Sequence, residues 1–350
     1  MTIYKREILD HDDELVTKGK FNFGTFNKPF KVVNPLEAKN PFTFSAFKPI
    51  KYFRLKEWEA FQIGNKDVFI LLALYNTKSA SLAYFSIYDI KNNKRYVYEK
   101  KLPMWKIKLP NSLVNTRASY ISKNFTFKIH NNLADNQITV DLTIKNFKGL
   151  PDVSANFQGI HDNKVEPMVI CQPFGENRAL YSHKCLMPTR GSLTFGNNAF
   201  NFNTMNSYMI IDDHKGYYPY IMKYDWVTGI GYNSAGQLIG FNLTDNQVLD
   251  HEKYNENCIW INGKLHLLPP IKFTRSEGVS GKWNIKDKYG MVDISFTPMA
   301  DSPVKMNLLF IKADYHGPCG YFKGYIKDSN MNIIRIDDYF GMGEKKYIRA

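Results

Sequence analysis

The sequence predicts an all-β protein made of two antiparallel β-barrels in tandem. Three observations support this fold class: apolar and polar residues alternate in many short runs, turn sequences separate those runs, and a weak internal repeat relates the two halves of the chain. Apolar residues make up 44% of the 350 residues, which is enough for a folded core and excludes a disordered chain.

The alternating runs are four to eight residues long, as expected for strands with one buried face. They include FTFKIH, QITVDLTI, SLTFG, AFNFN, KWNIK and MVDISF, and turn sequences such as HNNLADN, YNSAGQ and INGK separate them. The apolar run at 68–75 predicts a strand buried on both faces, because it is far shorter than the roughly 20 residues that cross a membrane as a helix.

The internal repeat consists of four anchors that recur in the same order. They are TF at 25, a tryptophan at 58, LP at 102 and VDLT at 140, matched by TF at 194, a tryptophan at 226, LP at 268 and VDIS at 292. The intervals from TF to the tryptophan (33 against 32 residues) and from the tryptophan to the proline of LP (45 against 43) agree, and the interval from that proline to the Asp of VDLT or VDIS differs (38 against 24). The segment NFKGLPDVSANFQGIHDNKVEP loses strand alternation and is rich in Gly, Pro, Asp and Asn, which predicts a domain boundary near 160–175. We therefore expect an N-terminal barrel over 1–165 and a C-terminal barrel over 166–350.

The net charge of +13 raises the question of nucleic-acid binding, which the composition argues against. Only 9 of the 46 basic residues are Arg, and the lysines are scattered singly without a basic stripe.

The first 16 residues carry charges where a signal peptide needs an apolar stretch, so we expect a cytoplasmic protein without a transmembrane segment. Transient contact with a membrane surface and the oligomeric state stay open. No cysteine pair has C-x-x-C spacing, so we expect free and mostly buried thiols.

Long motifs carry a resemblance to a known family. FGTFNKPF, RLKEWEAFQI, PFGENRALYSHK, IDDHKGYYP, YDWVTGIG and GMGE resemble the bacterial family called domain of unknown function 2804, over nearly the whole chain. More distantly, GSLTFGNNAFNFNTMNSYMIIDDHKG resembles the AttH and carotenoid-hydratase group of tandem lipocalin-like proteins, in which a hairpin leads to an Asp-His-x-x-Gly turn. Here Gly216 comes one residue early. The resemblance implies two lipocalin-like barrels and an apolar isoprenoid or polyketide ligand.

Four residues are candidates for acid-base catalysis. Asp213 and His214 match the Asp-His of that turn, and a His oriented by an Asp can transfer a proton near neutral pH. In a strand, however, Asp213 would lie on the face opposite to His214. Glu57 and Asp225 precede the two repeated tryptophans and are candidate second acids. The alternatives are a turn in which Asp213 caps backbone amides, and surface ion pairs for the other two carboxylates.

Aromatic and amide side chains around these acids are the candidates for ligand binding. Asn242, Thr244 and Asn246 would form a polar stripe on one strand face, which either faces solvent or lines a pocket. The two tryptophans are instead structural if they plug the closed ends of the barrels. The candidate ligand-binding residues are Trp58, Tyr181, His183, Tyr217, Tyr218, Trp226, Asn242, Asn246, Glu256, Asn257 and Trp260.

The segment GYYPYIMKYDW is predicted to split at Pro219, because proline disrupts a strand ladder. Before it, Tyr217 or Tyr218 should lean over a pocket at a barrel mouth. After it, a new strand should carry Tyr224 and Trp226 on one face. Asp225 on the other face would then need a cationic partner or solvent.

Phosphate-binding loops, serine-hydrolase elbows and metal-ligand spacings are not found in the sequence, so we expect neither a cofactor nor a metal. The sequence favours a protein that binds a largely apolar small molecule and acts on it as a hydratase, cyclase or isomerase. The main alternative is a non-catalytic carrier of a lipid or isoprenoid, and a third is an interaction module with a basic surface and no cavity. A buried carboxylate and a His that converge on one cavity would favour chemistry over carriage.

Overall fold

The computed structural model describes residues 4–11, 13–42, 47–307 and 312–349. Its first strands are β1 (Ile8–Leu9), β2 (Val16–Thr17), β3 (Lys20–Phe21), β4 (Gly24–Phe26), β5 (Lys56–Gly64), β6 (Val68–Asn76), β7 (Ser81–Asp89), β8 (Lys94–Leu102), β9 (Thr116–Ile121), β10 (Phe125–Asn132), β11 (Gln137–Ile144), β12 (Val153–Ile160), β13 (Met168–Gly175), β14 (Arg178–Phe195), β15 (Asn198–Phe202) and β16 (Tyr208–Gly216).

The second half of the chain continues with β17 (Ile221–Tyr232), β18 (Leu238–Asp245), β19 (Cys258–Ile261), β20 (Lys264–Leu267), β21 (Ile271–Thr274), β22 (Trp283–Asp287), β23 (Val292–Ala300), β24 (Val304–Asn307), β25 (Lys312–His316), β26 (Cys319–Lys327) and β27 (Ile333–Arg349). The α-helices are short: α1 (Lys48–Arg54) and α2 (His251–Tyr254). Three single-turn 3-10 helices lie at Pro35–Glu37, Met104–Lys106 and Leu133–Asp135.

The strands form two large curled sheets in tandem, which confirms the predicted all-β, lipocalin-like fold class. The first sheet has the order β8-β7-β6-β5-β16-β14-β12-β11-β10-β9, with β1, β4, β13 and β15 attached beside it. The second has the order β20-β19-β18-β17-β27-β26-β23-β22-β21, with β24 and β25 attached. Neighbouring strands are antiparallel except for the short pair of β1 and β4.

Alternation of side chains builds one apolar core inside each sheet. In β11, Ile138, Val140, Leu142 and Ile144 point into the core of the first sheet, and the residues between them are partly exposed. The predicted double burial of the run at 68–75 is also found. Its even-numbered residues join this core, and Phe69 lies in an apolar cluster between the two sheets.

The two sheets do not divide at residue 165. Strands β13 to β16 all pair within the first sheet, so the change of sheet falls between Gly216 and Ile221. The predicted boundary segment contains β12, in which Val153, Ala155 and Phe157 are buried while polar residues between them are exposed. Because it contains Asn, Gln and Gly residues, this strand resembles a linker in sequence, although it is an ordinary strand with one buried face.

The repeated tryptophans occupy the same place in the two sheets. Trp58 lies on β5 and Trp226 on β17, and each of these strands starts a four-stranded meander and also pairs with the last long strand of its sheet. Asp141 and Asp293 both lie on the third strand from a free sheet edge. The TF anchors do not correspond, because residue 25 lies in β4 and residue 194 in the hairpin of β14 and β15.

The two sheets pack directly against each other. Phe69 and Tyr88 of the first sheet contact Phe340 of the second, with ring centroids 5.3 Å apart in both cases. Gly240 permits close approach, since a Cβ there would lie 2.9 Å from a methyl carbon of Leu186. All four cysteines are free and buried, as predicted. Within the described ranges, no helix is long and apolar enough to span a membrane.

Candidate active site between the two sheets

A cavity of about 650 Å³ lies between the two sheets. Its walls come from β5, β6, β14 and β16 on one side and from β17, β18 and β27 on the other. Apolar side chains such as Leu71, Leu180 and Met342 form part of the lining, and polar side chains reach it from both walls. The size fits a small organic molecule.

The first polar group of the cavity lies on β16. Successive side chains of a strand point to opposite faces, so Asp212 and His214 line the cavity and Asp213 does not. The imidazole Nε2 of His214 lies 2.6 Å from Asp212 Oδ1 and 3.0 Å from Ser182 Oγ. Its Nδ1 is buried without a hydrogen-bond partner among the described residues. One nitrogen is thus held by a carboxylate, and the other has no hydrogen-bond partner among the described residues.

A lysine and a second carboxylate complete this group. Lys184 Nζ lies 2.9 Å from Asp212 Oδ1 and 3.7 Å from Glu256 Oε2, and the Ser182 hydroxyl donates to Glu256 Oε2 at 3.1 Å. Lys184 also lies over the ring of Trp226, 5.2 Å from its centroid. We call Ser182, Lys184, Asp212, His214 and Glu256 the His214 cluster. It is continuous, so a charge on one member is felt by the others.

The charges of the His214 cluster are fixed by their mutual contacts. Burial would raise the pKa of Asp212, but His214 and Lys184 outweigh that effect and hold the pKa below its usual range. Burial likewise acts to lower the pKa of Lys184, and Asp212 and Glu256 more than offset it, so that the pKa is raised. Asp212 therefore stays ionised and Lys184 stays charged near neutral pH.

Trp58 supports the imidazole from the side. Its ring stacks on that of His214, with centroids 4.5 Å apart and planes 13° from parallel. Tyr75 and Tyr218 also lie nearly parallel to Trp58, at 5.1 and 5.9 Å. Stacking of this kind fixes the orientation of the His214 ring and gives the cavity an aromatic wall.

A second polar group lies on the opposite wall. Glu344 accepts hydrogen bonds from the hydroxyls of Tyr224 (2.7 Å) and Tyr315 (2.6 Å). Burial, together with Glu344, raises the pKa of both tyrosines well above the usual value, so they remain protonated donors. Lys346 Nζ donates to Tyr224 Oη at 3.1 Å. We call Tyr224, Tyr315, Glu344 and Lys346 the Lys346 cluster.

Six of the residues predicted from the sequence line this cavity. They are Trp58, His214, Tyr218, Trp226, Asn246 and Glu256. The prediction that Pro219 divides its segment is also confirmed, since β16 ends at Gly216 and β17 begins at Ile221. Tyr224 and Trp226 share the cavity face of β17, as expected.

Asp213 lies on the other face of β16, inside the first sheet. Its register partner on β5 is Glu59, and its partner on β14 is His183. Burial raises the pKa of Asp213 well above its usual range, and repulsion by Glu59 adds to the effect. The expected Asp-His turn is not found, because both residues lie within a central strand. Asp213 therefore cannot orient His214, and Asp212 takes that place.

The two candidate second acids also lie outside the cavity lining. Glu57 forms buried ion pairs with Lys78 and with Lys215, the latter at 3.2 Å. Asp225 accepts two hydrogen bonds from Arg275, at 2.8 and 3.2 Å, which supplies the predicted cationic partner. Both carboxylates are neutralised by basic side chains that the sequence reasoning did not identify.

Three further predicted residues face other cores. Tyr181 and Tyr217 belong to an apolar cluster beneath the N-terminal segment, where the Tyr217 hydroxyl donates to the carbonyl of Pro35 at 3.2 Å. His183 is fully buried on the inner face of the first sheet, and neither ring nitrogen has a partner among the described residues. Burial lowers the pKa of His183 to about 3, with a contribution from His161, so it stays neutral.

The remaining predicted residues support the second sheet from behind the cavity. Asn242 accepts from Trp226 Nε1 at 2.6 Å and donates to the carbonyl of Glu256 at 2.8 Å. Asn257 binds the amide of Thr244 and the carbonyl of Pro269, and Trp260 Nε1 donates to the carbonyl of Glu166. Asn242 thus holds two cavity residues in place without lining the cavity.

The sequence reasoning missed most of the polar lining. Asp212 and Lys184 follow from alternation, because Asp212 lies two residues from His214 and Lys184 is the register partner of Asp212 on β14. For Glu344 and Lys346 no local signal exists. Within the parts of the chain that the structure describes, no three His, Cys, Asp or Glu side chains are placed to hold a metal ion.

Comparison with solved structures shows the same fold in kievitone hydratase and CghA. Kievitone hydratase from Nectria haematococca is 13% identical, with a TM-score of 0.50 over 95% of this chain and 99% of that chain. CghA is 8% identical, with a TM-score of 0.50 over 91% and 97%. A putative AttH protein from Nitrosomonas europaea is 13% identical, with a TM-score of 0.48 over 84% and 92%. At these identities the likeness concerns the fold alone.

Comparison of the sequence itself identifies the family. No curated protein matches the chain. The family model described as "Domain of unknown function (DUF2804)" matches residues 5–349, which is almost the full length. The predicted resemblance is thereby confirmed, and this chain belongs to the DUF2804 family.

Proposed function

We propose that the protein binds a largely apolar small molecule in the cavity between the sheets and acts on it by proton transfer, as a hydratase, cyclase or isomerase does. One observation carries this proposal: a buried His and two carboxylates converge on a cavity whose lining is largely apolar and aromatic. A carrier would need the apolar lining but no such group.

His214 is the proposed proton donor. Asp212 holds Nε2, which leaves Nδ1 as the atom that exchanges a proton with the ligand. Asp212 and Glu256 bring two carboxyl groups to the His214 cluster, which contains the single ammonium of Lys184. The ring face of Trp58 also favours a cation at His214.

The aromatic wall gives the proposed chemistry a suitable surrounding. Trp58, Tyr218 and Trp226 present ring faces to the cavity, and such faces stabilise a carbocation or polarised intermediate formed when an alkene accepts a proton. The shared fold with kievitone hydratase supports a water-adding reaction as one form of this chemistry. The proposed reaction needs no cofactor, since the donor and its counter-charges belong to the chain.

A binding experiment tests where the ligand is held. Ala73 lines the cavity, so Ala73→Phe should fill part of it and weaken binding of N-phenyl-1-naphthylamine, a neutral fluorescent probe, by at least about tenfold. Ala235→Phe is the matched control, because Ala235 lies in an exposed turn. Equal probe affinity in the wild type and Ala73→Phe would show that this cavity does not hold the apolar probe.

A second experiment tests for chemistry. Small molecules that co-purify with the wild type are identified by mass spectrometry and returned to the protein in D2O. The wild type should catalyse incorporation of deuterium at a carbon atom of the small molecule. His214→Gln should catalyse this exchange about 10² to 10⁴ times more slowly, while it still binds the naphthylamine probe. Binding without deuterium incorporation by the wild type would favour the carrier.

We also propose a cytoplasmic location and no nucleic-acid partner. Four free, buried thiols are consistent with a reducing compartment. Scarce arginine and scattered lysines remain the argument against nucleic acid.

A further inference from the structure

The Lys346 cluster faces the His214 cluster across the cavity and contains an ammonium whose hydrogen-bonding capacity is only partly used. Lys346 lies on β27, where Met342, Glu344, Lys346 and Ile348 alternate toward the cavity. Among the described residues, Lys346 Nζ forms one hydrogen bond, to Tyr224 Oη at 3.1 Å, although an ammonium has three donors. Among the described residues, no carboxylate oxygen forms an ion pair with it within 4.0 Å.

The nearby carboxylate is occupied by other donors. Both oxygens of Glu344 accept tyrosine hydroxyls, at 2.7 and 2.6 Å. Burial lowers the pKa of Lys346, and the negative charges of Glu344 and Asp212 only partly offset that effect. The contrast with Lys184 is clear, since Lys184 contacts two carboxylates directly. The Lys346 side chain thus faces the cavity with no directly paired carboxylate among the described residues.

Aromatic rings surround the ammonium and shape the space around it. Its nitrogen lies 5.1 Å from the ring centroid of Tyr224, 5.8 Å from that of Tyr315 and 5.9 Å from that of Trp58. The Trp58 ring also stacks on His214, with centroids 4.5 Å apart. Because both groups lie this close to the same ring, the His214 ring and Lys346 Nζ are at most about 10 Å apart. One small molecule can reach both groups.

We propose that Lys346 binds an anionic oxygen of the ligand, a carboxylate or an enolate, while the apolar part of the ligand extends toward His214. This inference rests on the proposed function and narrows its substrate class to apolar molecules that carry an acidic oxygen within about 10 Å of the reacting carbon. An apolar cavity favours such a charge only where a cation balances it, and Lys346 supplies that cation.

The test uses two fluorescent probes with the same aromatic skeleton. One is the neutral N-phenyl-1-naphthylamine, and the other is 1-anilinonaphthalene-8-sulfonate, which adds an anionic group. Lys346→Met should weaken binding of the sulfonate roughly tenfold or more and leave the neutral probe within about twofold. Lys346→Arg should retain most of the sulfonate affinity. The matched control is Lys345→Met, since Lys345 is the exposed neighbour on the opposite face of β27.

The outcomes separate this inference from the proposed function. Equal sulfonate affinity in wild type and Lys346→Met would overturn the inference, and intact binding of the neutral probe would leave the proposed function standing. In the wild type the two probes should displace each other, because they share one cavity. If the wild type binds neither probe, or if the probes do not compete, the proposed binding itself fails.

A measurement on the wild type covers the case in which Lys346→Met does not fold. Decanoate and decanol, which differ in the acidic headgroup, are compared as competitors of the neutral probe. Decanoate should displace it at a concentration at least about tenfold lower than decanol, and equal or weaker displacement would overturn the inference.

Discussion

The buried acid Glu59 offers a quantitative test of how the inner face of the first sheet is built. Glu59 is fully buried, and its Oε1 accepts a hydrogen bond from Asn131 at 3.1 Å while Oε2 has no partner among the described residues. Glu59→Gln keeps that hydrogen bond, because the amide oxygen also accepts, and removes the ability to ionise. The variant therefore isolates the cost of a buried negative charge.

The expected magnitude follows from the pKa. Burial raises the pKa of Glu59 from 4.5 to about 7; Asn131 and Lys215 act against this rise, and Glu57 adds to it. Because the pKa is higher in the folded state, its contribution to stability is complete below about pH 4.5 and is lost as the pH rises through about 7. A shift of this size corresponds to roughly 3 kcal/mol.

Urea denaturation, followed by tryptophan fluorescence at pH 5 to 8, measures this effect. Relative to wild type, Glu59→Gln should gain about 3 kcal/mol of unfolding free energy between pH 5 and pH 8. The matched control is Glu57→Gln, two residues earlier on β5. It should lose about 3 kcal/mol or more throughout this range, because Lys78 and Lys215 would be left buried without their carboxylate. A difference between Glu59→Gln and wild type that does not vary with pH would refute the reasoning.

Three further predictions concern an ion pair, the cavity wall and the cysteines. Asp225→Asn should cost about 1 to 3 kcal/mol of unfolding free energy, because Arg275 loses its partner, and should leave binding of the neutral naphthylamine probe unchanged; weakened binding would place Asp225 at the ligand. Tyr218→Leu should alter that binding and Tyr217→Leu should not, since only Tyr218 lines the cavity. All four cysteines should resist a thiol reagent until urea unfolds the protein, and rapid labelling of the native protein would contradict their burial.

The sequence was sufficient for the fold class because strand periodicity is a local signal. Runs such as QITVDLTI alternate strictly, and the structure buries the predicted residues of that run. The division between the sheets depends on which strands pair with each other, which is not a local property. VSANFQGI at 153–160 shows the difficulty, since its polar residues made a strand resemble a linker.

The candidate site was predictable in part for the same reason. His214 and Trp58 were found by motif and repeat, whereas Asp213 was preferred to Asp212 because a turn was expected where β16 continues. In a strand the residue two positions away shares the face of His214, and the adjacent residue does not. Lys346 lies 132 positions further along the chain, so only the packing of the two sheets brings it near the imidazole.

The position of β27 has a consequence for synthesis of the chain. The first sheet has all its strands once Gly216 has been made, but its aromatic residues Phe69 and Tyr88 pack on Phe340, which belongs to a strand that starts at Ile333. At the usual 5 to 20 residues per second, the ribosome needs roughly 6 to 24 s to add the intervening residues. During that interval the apolar face of the first sheet stays exposed on the nascent chain. Exposed apolar surface of this kind is what chaperones bind.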